Sequence, residues 1–434
     1  MQMMTRPAPA LSSSAVPVKT MLAEVRKPLG PVWWSVFLAS VLLAAWGVGW
    51  SSWRIAAEGV GVLGLNNNVV WGLDIVHFVF WIGLGHAGTL ISAVLLLTRQ
   101  SWRSPIARGA EQMTLCAVVC AAVFPVVHVG RVWMAWMASP LMWDVMAVST
   151  YFLLSLLYWY IGLVPDFALL RDCCAGHLRR RYGWLALGWQ GTGRQWRAYE
   201  KASLLFAAIL TPLVVSVHSV VSFDFSVTQV PGWHQSIFPP YFVGGAILSG
   251  MAMVQLILLG VRRLMSGSGV RQAITPAILD LSSRFVLALA LVMGAMYLWE
   301  HLAVVLNGGS PALFPGRNPV NAVFLGAMVA GNVLLPQLFW FRSLRTNRWV
   351  IAVVALGVLA GIWMERFWIV VNSLKASLLA ANIGDYSPSL TDLAMMAGSV
   401  GLFTALYMVL VRVTPFFSLC DVREQQSLNK EGGA

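Results

Sequence analysis

Two polar residues, a histidine and an arginine, end an apolar segment of this chain in the sequence FPVVHVGR at residues 124–131. Pro125 lacks a backbone N–H and crowds the carbonyl four residues earlier, so we expect a bend that turns His128 into a helix bundle. Arg131 follows three residues later, on nearly the same helical face. With Asp144 across a short loop, this histidine suits hydrogen bonding and proton exchange with a small polar group.

Other apolar segments also carry ionisable residues near one end. They are Asp74 and His77, Asp144, His218 and Asp224, and Glu300 and His301. One such residue alone is most simply a helix end that reaches water or lipid headgroups. Ionisable side chains are costly inside a membrane, so several of them at one depth indicate a functional site. We expect these residues to gather with His128 near one surface of the bundle.

Composition identifies lipid as the solvent of these segments. The chain is 58% hydrophobic and 11% charged, with a mean hydropathy of +0.73 and 21 tryptophans. A helix needs about 20 apolar residues to cross roughly 30 Å of hydrocarbon. Ten stretches are this long: 32–50, 70–97, 110–129, 143–164, 201–222, 238–261, 284–306, 319–341, 349–372 and 393–412. They lack the alternation of barrel strands. The sequence therefore predicts an all-α integral membrane protein with ten transmembrane helices.

The distribution of positive charge predicts the orientation, because loops rich in lysine and arginine stay cytoplasmic. With the N-terminus inside, all but five of the 29 lysines and arginines fall in cytoplasmic segments. We expect cytoplasmic tails at 1–30 and 416–434 around a membrane domain at 31–415. This topology accounts for the net charge of +12, so we infer no nucleic-acid partner. The first 30 residues lack the apolar core and cleavage site of a signal peptide.

The five cysteines do not form a recognisable cofactor motif. Cys116 and Cys120 are one turn apart, Cys173 and Cys174 are adjacent, and Cys420 stands alone. Without a C-x-x-C-H sequence or a four-cysteine run, we expect neither covalent haem nor an iron–sulfur cluster in this chain. The GxxxxGK[ST] phosphate loop is also missing from the sequence, so ATP-driven transport is not expected.

Transmembrane haem b would need histidines at matched depth on different helices. His77 and His86 are nine residues apart, about 900° of helix rotation, which puts them on opposite faces. His86 is predicted to be the only histidine deep in the membrane, so a second haem has no ligands. The sequence still allows one haem near the outer surface. For His86, contact with backbone or hydroxyl groups of closely packed helices and a place in a proton path both stay open.

Acidic residues inside the spans would matter if protons crossed the membrane. Glu111 lies near the cytoplasmic end of the third segment, and Glu365 precedes Arg366 inside the ninth. Together with Glu300 and His86, these acids are candidates for a proton path. Structural pairing of Glu365 and Arg366 with partners is the simpler hypothesis.

Five stretches of sequence carry a resemblance to a known family. They are WIGLGHAGTLISAVLLLTRQSWRSPIARGAEQMT (81–114), FPVVHVGR (124–131), WDVMAVSTYFLLSLLYWYIGLVPDFALLRD (143–172), TPLVVSVHSVVSFDFSVTQVPGWHQSIFPPYFVGGAILSG (211–250) and ERFWIVVNSL (365–374). Together they resemble the quinol-binding membrane subunit of bacterial alternative complex III, within the polysulfide-reductase (NrfD-like) membrane protein family. The match runs in register from about residue 60 to 415.

The resemblance implies a fold, a substrate and partners. It implies two four-helix bundles, approximately 70–222 and 238–372, with flanking helices 32–50 and 393–412. It implies a bacterial inner (cytoplasmic) membrane protein without its own cofactor, and a menaquinol or ubiquinol site near the periplasmic face. Besides membrane lipid, the implied partners are a periplasmic iron–sulfur subunit like the molybdopterin oxidoreductases, a multihaem cytochrome c and a second related membrane subunit.

The family's site residues match His128, Asp144 and Asp224 in this sequence. Relatives usually have His-x-Gly-Arg-Pro-Trp and a longer loop, where this chain has HVGRVWMAWMASPLMWD with Val132 for the proline. The shortened 132–143 segment puts the lid over the quinone mouth in question. An internal similarity of FWIGLGHAG to YFVGGAILSG agrees with twin bundles.

The hypothesis that follows is quinol oxidation with His128 and Asp144 as proton acceptors. Asp224 and His218 would relay protons outward or shape the pocket, and the further quinol-binding candidates are Arg131, His77 and Asp74. One alternative is the membrane anchor of a molybdenum reductase or dehydrogenase of the polysulfide, tetrathionate or sulfite type. The other alternative, from a different class, is a secondary transporter.

Overall fold

The computed structural model describes residues 30–129, 140–230, 233, 237–264, 274–306, 319–375 and 386–418. Within these residues the chain is helical and contains no strands. Ten of the helices are long and apolar enough to cross a membrane. The predicted all-α integral membrane fold and its multi-pass character are therefore confirmed, whereas the cytoplasmic location of the termini stays a prediction.

The helices follow one another in up-and-down order along the chain. The ten spans are α1 Pro31–Glu58, α2 Leu73–Leu97, α3 Ser104–Val129, α4 Pro140–Cys173, α6 Gly193–Ser226, α7 Phe238–Leu264, α8 Pro276–Leu306, α9 319–340, α10 Arg348–Lys375 and α11 Leu390–Val413. A short helix, α5 (Gly176–Leu185), connects α4 to α6. Each predicted stretch coincides with one span. The predicted segments 143–164 and 201–222 are longer in the structure, because polar residues extend each apolar run into a 34-residue helix.

Side-chain caps fix where several spans begin. Thr192 accepts a hydrogen bond from the backbone N–H of Gln195, whose side chain returns the contact, so α6 starts in a capping box. Ser389 and Asp392 form the same arrangement at the start of α11. These caps satisfy N–H groups that the helix itself leaves without partners.

Helix α2 lies at the centre of the described structure and packs against α3, α6, α7, α10 and α11. Small residues allow these close crossings. A Cβ placed on Gly250 of α7 would overlap the Cβ of Ala87. One placed on Gly88 would overlap the carbonyl oxygen of Ala110 on α3. The polar residues of α2 are consequently buried and face neighbouring helices.

The two segments with internal similarity, FWIGLGHAG and YFVGGAILSG, contact each other at this crossing of α2 and α7. Helix α11 packs against α1, with Gly47 and Gly398 at their closest approach. The division into two four-helix bundles, 70–222 and 238–372, with the flanking helices 32–50 and 393–412, stays a prediction. The predicted tails lie almost wholly outside the described residues.

Candidate functional site

The first functional contact joins the beginning of α2 to the end of α3. The Nδ1 atom of His128 is in hydrogen-bond contact with Oδ2 of Asp74, and Oδ1 of Asp74 accepts from the backbone N–H of Gly72 at 3.2 Å. Asp74 is buried, whereas the His128 side chain keeps 14% of its surface exposed. Sequence reasoning placed Asp144 beside His128, and the structure places Asp74 there, because α2 and α3 are antiparallel neighbours whose ends meet.

Asp144 faces a different carboxyl group. It lies just after the first turn of α4, is completely buried, and interacts electrostatically with Asp224 near the end of α6. No described donor reaches either oxygen of Asp144 with hydrogen-bond geometry. Two neighbouring carboxyl groups repel each other when both are ionised, so such a pair favours a state that holds one proton. The arrangement can therefore hold and exchange one proton.

His77 lies one helical turn from Asp74 and is buried. Neither ring nitrogen forms a hydrogen bond with any described residue. The imidazole stacks on Phe124, with ring centroids 5.6 Å apart, and lies 5.8 Å from the indole of Trp363 on α10. The Nε1–H of Trp363 also has no hydrogen-bond partner among the described residues. Buried donors without partners are unfavourable by about 1–3 kcal/mol, so this pair marks a place where a polar ligand would be favourable.

Trp363 was missed at the sequence level because nothing distinguishes it from the other tryptophans of the spans. Trp363 belongs to a row of stacked aromatic rings. Trp363 stacks on Phe367 at 5.8 Å, and Phe367 on Phe324 of α9 at 5.2 Å. Both phenylalanines are partly exposed. A flat apolar ring of a ligand could stack on this row of aromatic side chains, which leads from the lipid-facing side of α9 to His77.

Tyr386 positions the start of α2. Its hydroxyl oxygen accepts the backbone N–H of Leu73 at 3.1 Å, immediately before Asp74. Burial, with the carboxyl of Asp392 nearby, raises the pKa of Tyr386 well above its ordinary value. The hydroxyl therefore stays protonated.

His218 is deeper than its predicted place at the outer end of the fifth span. Its Nδ1 lies 3.0 Å from Nδ1 of His86, and its Nε2 is 2.8 Å from the carbonyl oxygen of Phe242. A carbonyl oxygen can only accept, so Nε2 of His218 donates and, in the neutral pair, His86 donates from Nδ1. The prediction that His86 is the only deep histidine is wrong, because α6 continues to Ser226 and leaves His218 eight residues inside the helix. The direct contact leaves no room for a haem iron between the rings.

Hydroxyl groups lie one turn further along α2. Thr89 bonds Thr114 of α3 at 3.1 Å and Ser155 of α4 at 3.3 Å. The hydroxyl of Tyr151 donates to the carbonyl of Gly85 at 2.9 Å, and its ring lies against His86 with centroids 4.5 Å apart. These groups connect α2, α3 and α4 at mid-depth.

Glu111 lies in a buried ionic cluster at the opposite end of the bundle. Ser92 donates to its Oε1 at 2.5 Å and Arg108 lies 3.4 Å from its Oε2. Arg108 also contacts Asp166 of α4 at 3.1 Å. The charge count placed Arg108 in a cytoplasmic loop, but it lies inside α3 and is 5% exposed. Asp166 was missed, because its helix continues past the predicted end at 164.

A second ionic cluster joins α8, α9 and α10. Arg366 Nη1 lies 2.9 Å from Glu365 Oε1, and both side chains are buried. Tyr297 donates to Oε2 of Glu365, and Asn332 donates to the Tyr297 hydroxyl at 2.7 Å. Glu300, one turn from Tyr297, interacts electrostatically with Glu365. Glu365 thus faces other polar groups of the protein, while Glu300 is partly exposed.

Arg131 lies outside the described residues, as do residues 132–139 of the predicted lid segment 132–143. The remaining predicted site residues separate into two outer pairs, His128 with Asp74 and Asp144 with Asp224. His77 has no hydrogen-bond partner among the described residues, and His86 pairs with His218 at mid-depth. No group of three or more histidine, cysteine, aspartate or glutamate residues suited to hold a metal occurs in the described part of the chain.

Comparison with known proteins identifies relatives of this chain. The family model described as "Polysulphide reductase, NrfD" matches residues 61–376. A putative dimethyl sulfoxide reductase membrane subunit of Halobacterium salinarum is 26% identical over 240 residues, 53% of this chain and 51% of that protein. A selenate reductase subunit of Mesobacillus selenatarsenatis is 21% identical over 388 residues, 83% of this chain and 89% of that protein. The chain thus matches about half the length of the first relative and most of the second.

Proposed function

Because the chain belongs to the NrfD polysulphide reductase family, we propose that it is the quinone-binding membrane subunit of a respiratory oxidoreductase complex. The observation that supports this function is that two pairs of ionisable side chains, each with one fully buried carboxyl group, lie at one end of the bundle. His128 with Asp74, and Asp144 with Asp224, lie at adjacent ends of α2, α3, α4 and α6. A menaquinol or ubiquinol, with two hydroxyls and an apolar tail, is a substrate of matching chemistry.

Oxidation of a quinol releases two electrons and two protons and leaves the quinone. In the proposed reaction, Asp74 holds Nδ1 of His128 and leaves Nε2 to accept one proton from a hydroxyl. The Asp144–Asp224 pair accepts the other proton. Losing an electron makes each hydroxyl far more acidic, so a base within hydrogen-bond reach lowers the barrier. The electrons leave to a redox centre of a partner subunit.

The names of the two relatives favour one kind of complex. Both belong to reductases, one of dimethyl sulfoxide and one of selenate. They support the alternative of a membrane subunit of a molybdenum reductase or dehydrogenase better than a quinol:cytochrome c oxidoreductase of the alternative complex III type. We therefore propose a periplasmic iron–sulfur subunit of the molybdopterin-oxidoreductase kind as the electron acceptor. A multihaem cytochrome c and a second related membrane subunit would be partners only in a complex of the alternative complex III type.

The secondary-transporter alternative loses support for a different reason than expected. Sequence reasoning argued that the charges crowd one surface, yet His86 and His218 are in contact at mid-depth. Membership of the NrfD family is what favours electron transfer.

The proposal extends to a route for protons. Polar residues Ser92, Thr89 and His86 follow one another along α2. Ser92 contacts Glu111 of α3, Thr89 contacts hydroxyl groups of α3 and α4, and His86 contacts His218 of α6. Buried polar groups at successive turns of a transmembrane helix are costly unless they are paired or functional. Glu300 and Glu365 lie apart from this route, in the second ionic cluster.

Replacing Asp144 by asparagine tests the quinol site. The amide keeps the volume of the side chain but cannot take up the proton, so quinol-dependent reduction by the complex should fall by roughly 10²–10⁴-fold. Asp172→Asn is the matched control, because this exposed aspartate ends the same helix. Assembly is followed by co-purification of the partner subunits. Normal turnover of an assembled Asp144→Asn complex would remove Asp144 from the mechanism.

Replacing Glu111 by glutamine tests the proton route separately. In liposomes, we expect turnover-linked membrane potential to be lost while quinol oxidation by the detergent-solubilised complex continues. The potential is followed with a voltage-sensitive dye, and the solubilised activity is the control. An unaltered potential would assign Glu111 to its ion pair with Arg108 alone.

A further inference from the structure

The connection between α4 and α6 folds back along α4. Tyr160 of α4 donates from its hydroxyl to the carbonyl of Leu185 at 2.8 Å, and Phe167 stacks on Tyr182 of α5 at 6.1 Å. Tyr160 precedes the end of α4 at Cys173 by 13 residues, or about 20 Å of helix. The C-terminal end of α5 therefore lies well back from the tip of α4.

This geometry places the end of α5 at the bilayer surface. Helices α4 and α6 each have 34 residues, about 51 Å, which exceeds the roughly 30 Å of hydrocarbon. Their apolar parts, 143–164 and 201–222, leave the surplus on the side of α5. Trp184 and Leu187 are 77% and 70% exposed. Large apolar side chains this exposed suit the boundary between hydrocarbon and headgroups.

A basic pocket of ≈ 680 Å³ opens beside these apolar residues. Arg171, Arg179 and Arg180 line it together with Trp184, Leu187 and three glycines that contribute no side chain. Arg171 is fixed by the carbonyl of Trp189 at 2.9 Å and by Asp172 at 2.8 Å. Asp172 also interacts with Arg179.

Positive charge dominates this pocket. No acid is among the residues that line the pocket. Asp172 pairs with Arg171, and residues 173–199 contain no aspartate or glutamate. Three lining arginines therefore favour an anionic occupant. Arginine binds phosphate oxygens through two parallel N–H groups, so a phosphate is the best match to paired guanidinium groups.

We propose that this pocket binds the headgroup of an anionic phospholipid. Arg179 and Arg180 contact the phosphate, and the acyl chains pass along Trp184 and Leu187 into the bilayer. A zwitterionic lipid binds less well, because its cationic group meets the arginines. The bound lipid lies across the α4–α6 connection and is independent of electron transfer, so this inference does not rest on the proposed function.

The test compares lipid binding to the purified full-length chain in its complex, measured by native mass spectrometry during titration with phosphatidylglycerol or phosphatidylcholine. We expect one phosphatidylglycerol to bind preferentially. Arg179→Gln with Arg180→Gln should weaken its binding about thirtyfold, the combined effect of two arginines near an anionic surface. The corresponding lysine variants keep the charge but lose the paired N–H groups, so they should lose less affinity than the glutamine variants. Arg342→Gln with Arg348→Gln is the matched control, since both arginines are exposed where α9 connects to α10.

Equal binding of the two lipids, or equal losses in the arginine pair and its control, would overturn the proposal. Thermal unfolding of each variant verifies that the complex is intact. If the double variant fails to assemble, Arg180→Gln and Trp184→Ala are measured singly. Unchanged phosphatidylglycerol affinity in both would also refute the site.

Discussion

Replacing Arg108 by methionine should destabilise the protein more than the loss of any surface charge. Arg108 contacts Asp166 at 3.1 Å and Glu111 at 3.4 Å, and also reaches the carbonyl of Trp159 at 3.4 Å. Its side chain is 6% exposed, and those of the two acids are 0% and 4% exposed. Methionine fills similar space but leaves both carboxyl groups buried without their cation.

The magnitude follows from this burial. Removing one partner of a buried ion pair costs about 3–5 kcal/mol, because the remaining charge is neither solvated nor paired. Arg284 supplies the control. It pairs with Asp280 at 2.8 Å but is 56% exposed, so Arg284→Met should cost no more than about 1 kcal/mol. Adding Asp166→Asn to Arg108→Met should recover about 0.5–3 kcal/mol, because one stranded carboxyl is neutralised.

The assay is reversible unfolding in mixed micelles of dodecyl sulfate and a mild detergent, followed by circular dichroism. Wild type, both single arginine variants and the double variant are compared at one detergent ratio. A free-energy loss below about 1 kcal/mol for Arg108→Met would show that the buried cluster is solvated, and the calculation from burial would be refuted. Failure of Asp166→Asn to recover stability would place the loss elsewhere.

Two further variants test other contacts. Trp363→Phe keeps an aromatic ring but replaces the indole and so removes its N–H. The KM for quinol should then rise roughly tenfold at unchanged kcat, the effect of one buried hydrogen bond. An unchanged KM would exclude Trp363 from the quinone site. Gly250→Val should lower the free energy of unfolding by about 1–3 kcal/mol, because it drives atoms into Ala87 across the α2–α7 crossing. Gly260→Val, on the same helix and without atoms nearby, should leave thermal stability unchanged, and equal losses in both would refute the packing argument.

The spans could be predicted because lipid allows few alternatives. A backbone in hydrocarbon must satisfy its hydrogen bonds internally, so each long apolar run has to be helical. The ends were less certain. Arg108 and Asp166 were assigned to loops or overlooked because polar residues extend α3 and α4 beyond their apolar cores.

Partners within the site could be predicted only in part. Topology placed Asp74 and His128 at the same end of neighbouring spans, and the structure brings them into contact. The predicted topology did not indicate that His86 contacts His218, because a depth inferred from helix ends is uncertain by several residues. The roles of these residues in quinol chemistry stay predictions.

The sequence by itself determined that this is a helical, multi-pass membrane protein and which of its residues are too polar to face lipid. Only the tertiary structure decided which of those residues meet. In water, an apolar stripe reveals the buried face of a helix, but in a membrane the lipid-facing and protein-facing sides are equally apolar. Helix rotation is then set by close crossings such as Gly250 against Ala87. Those crossings bring Trp363 beside His77 and leave both without a hydrogen-bond partner among the described residues.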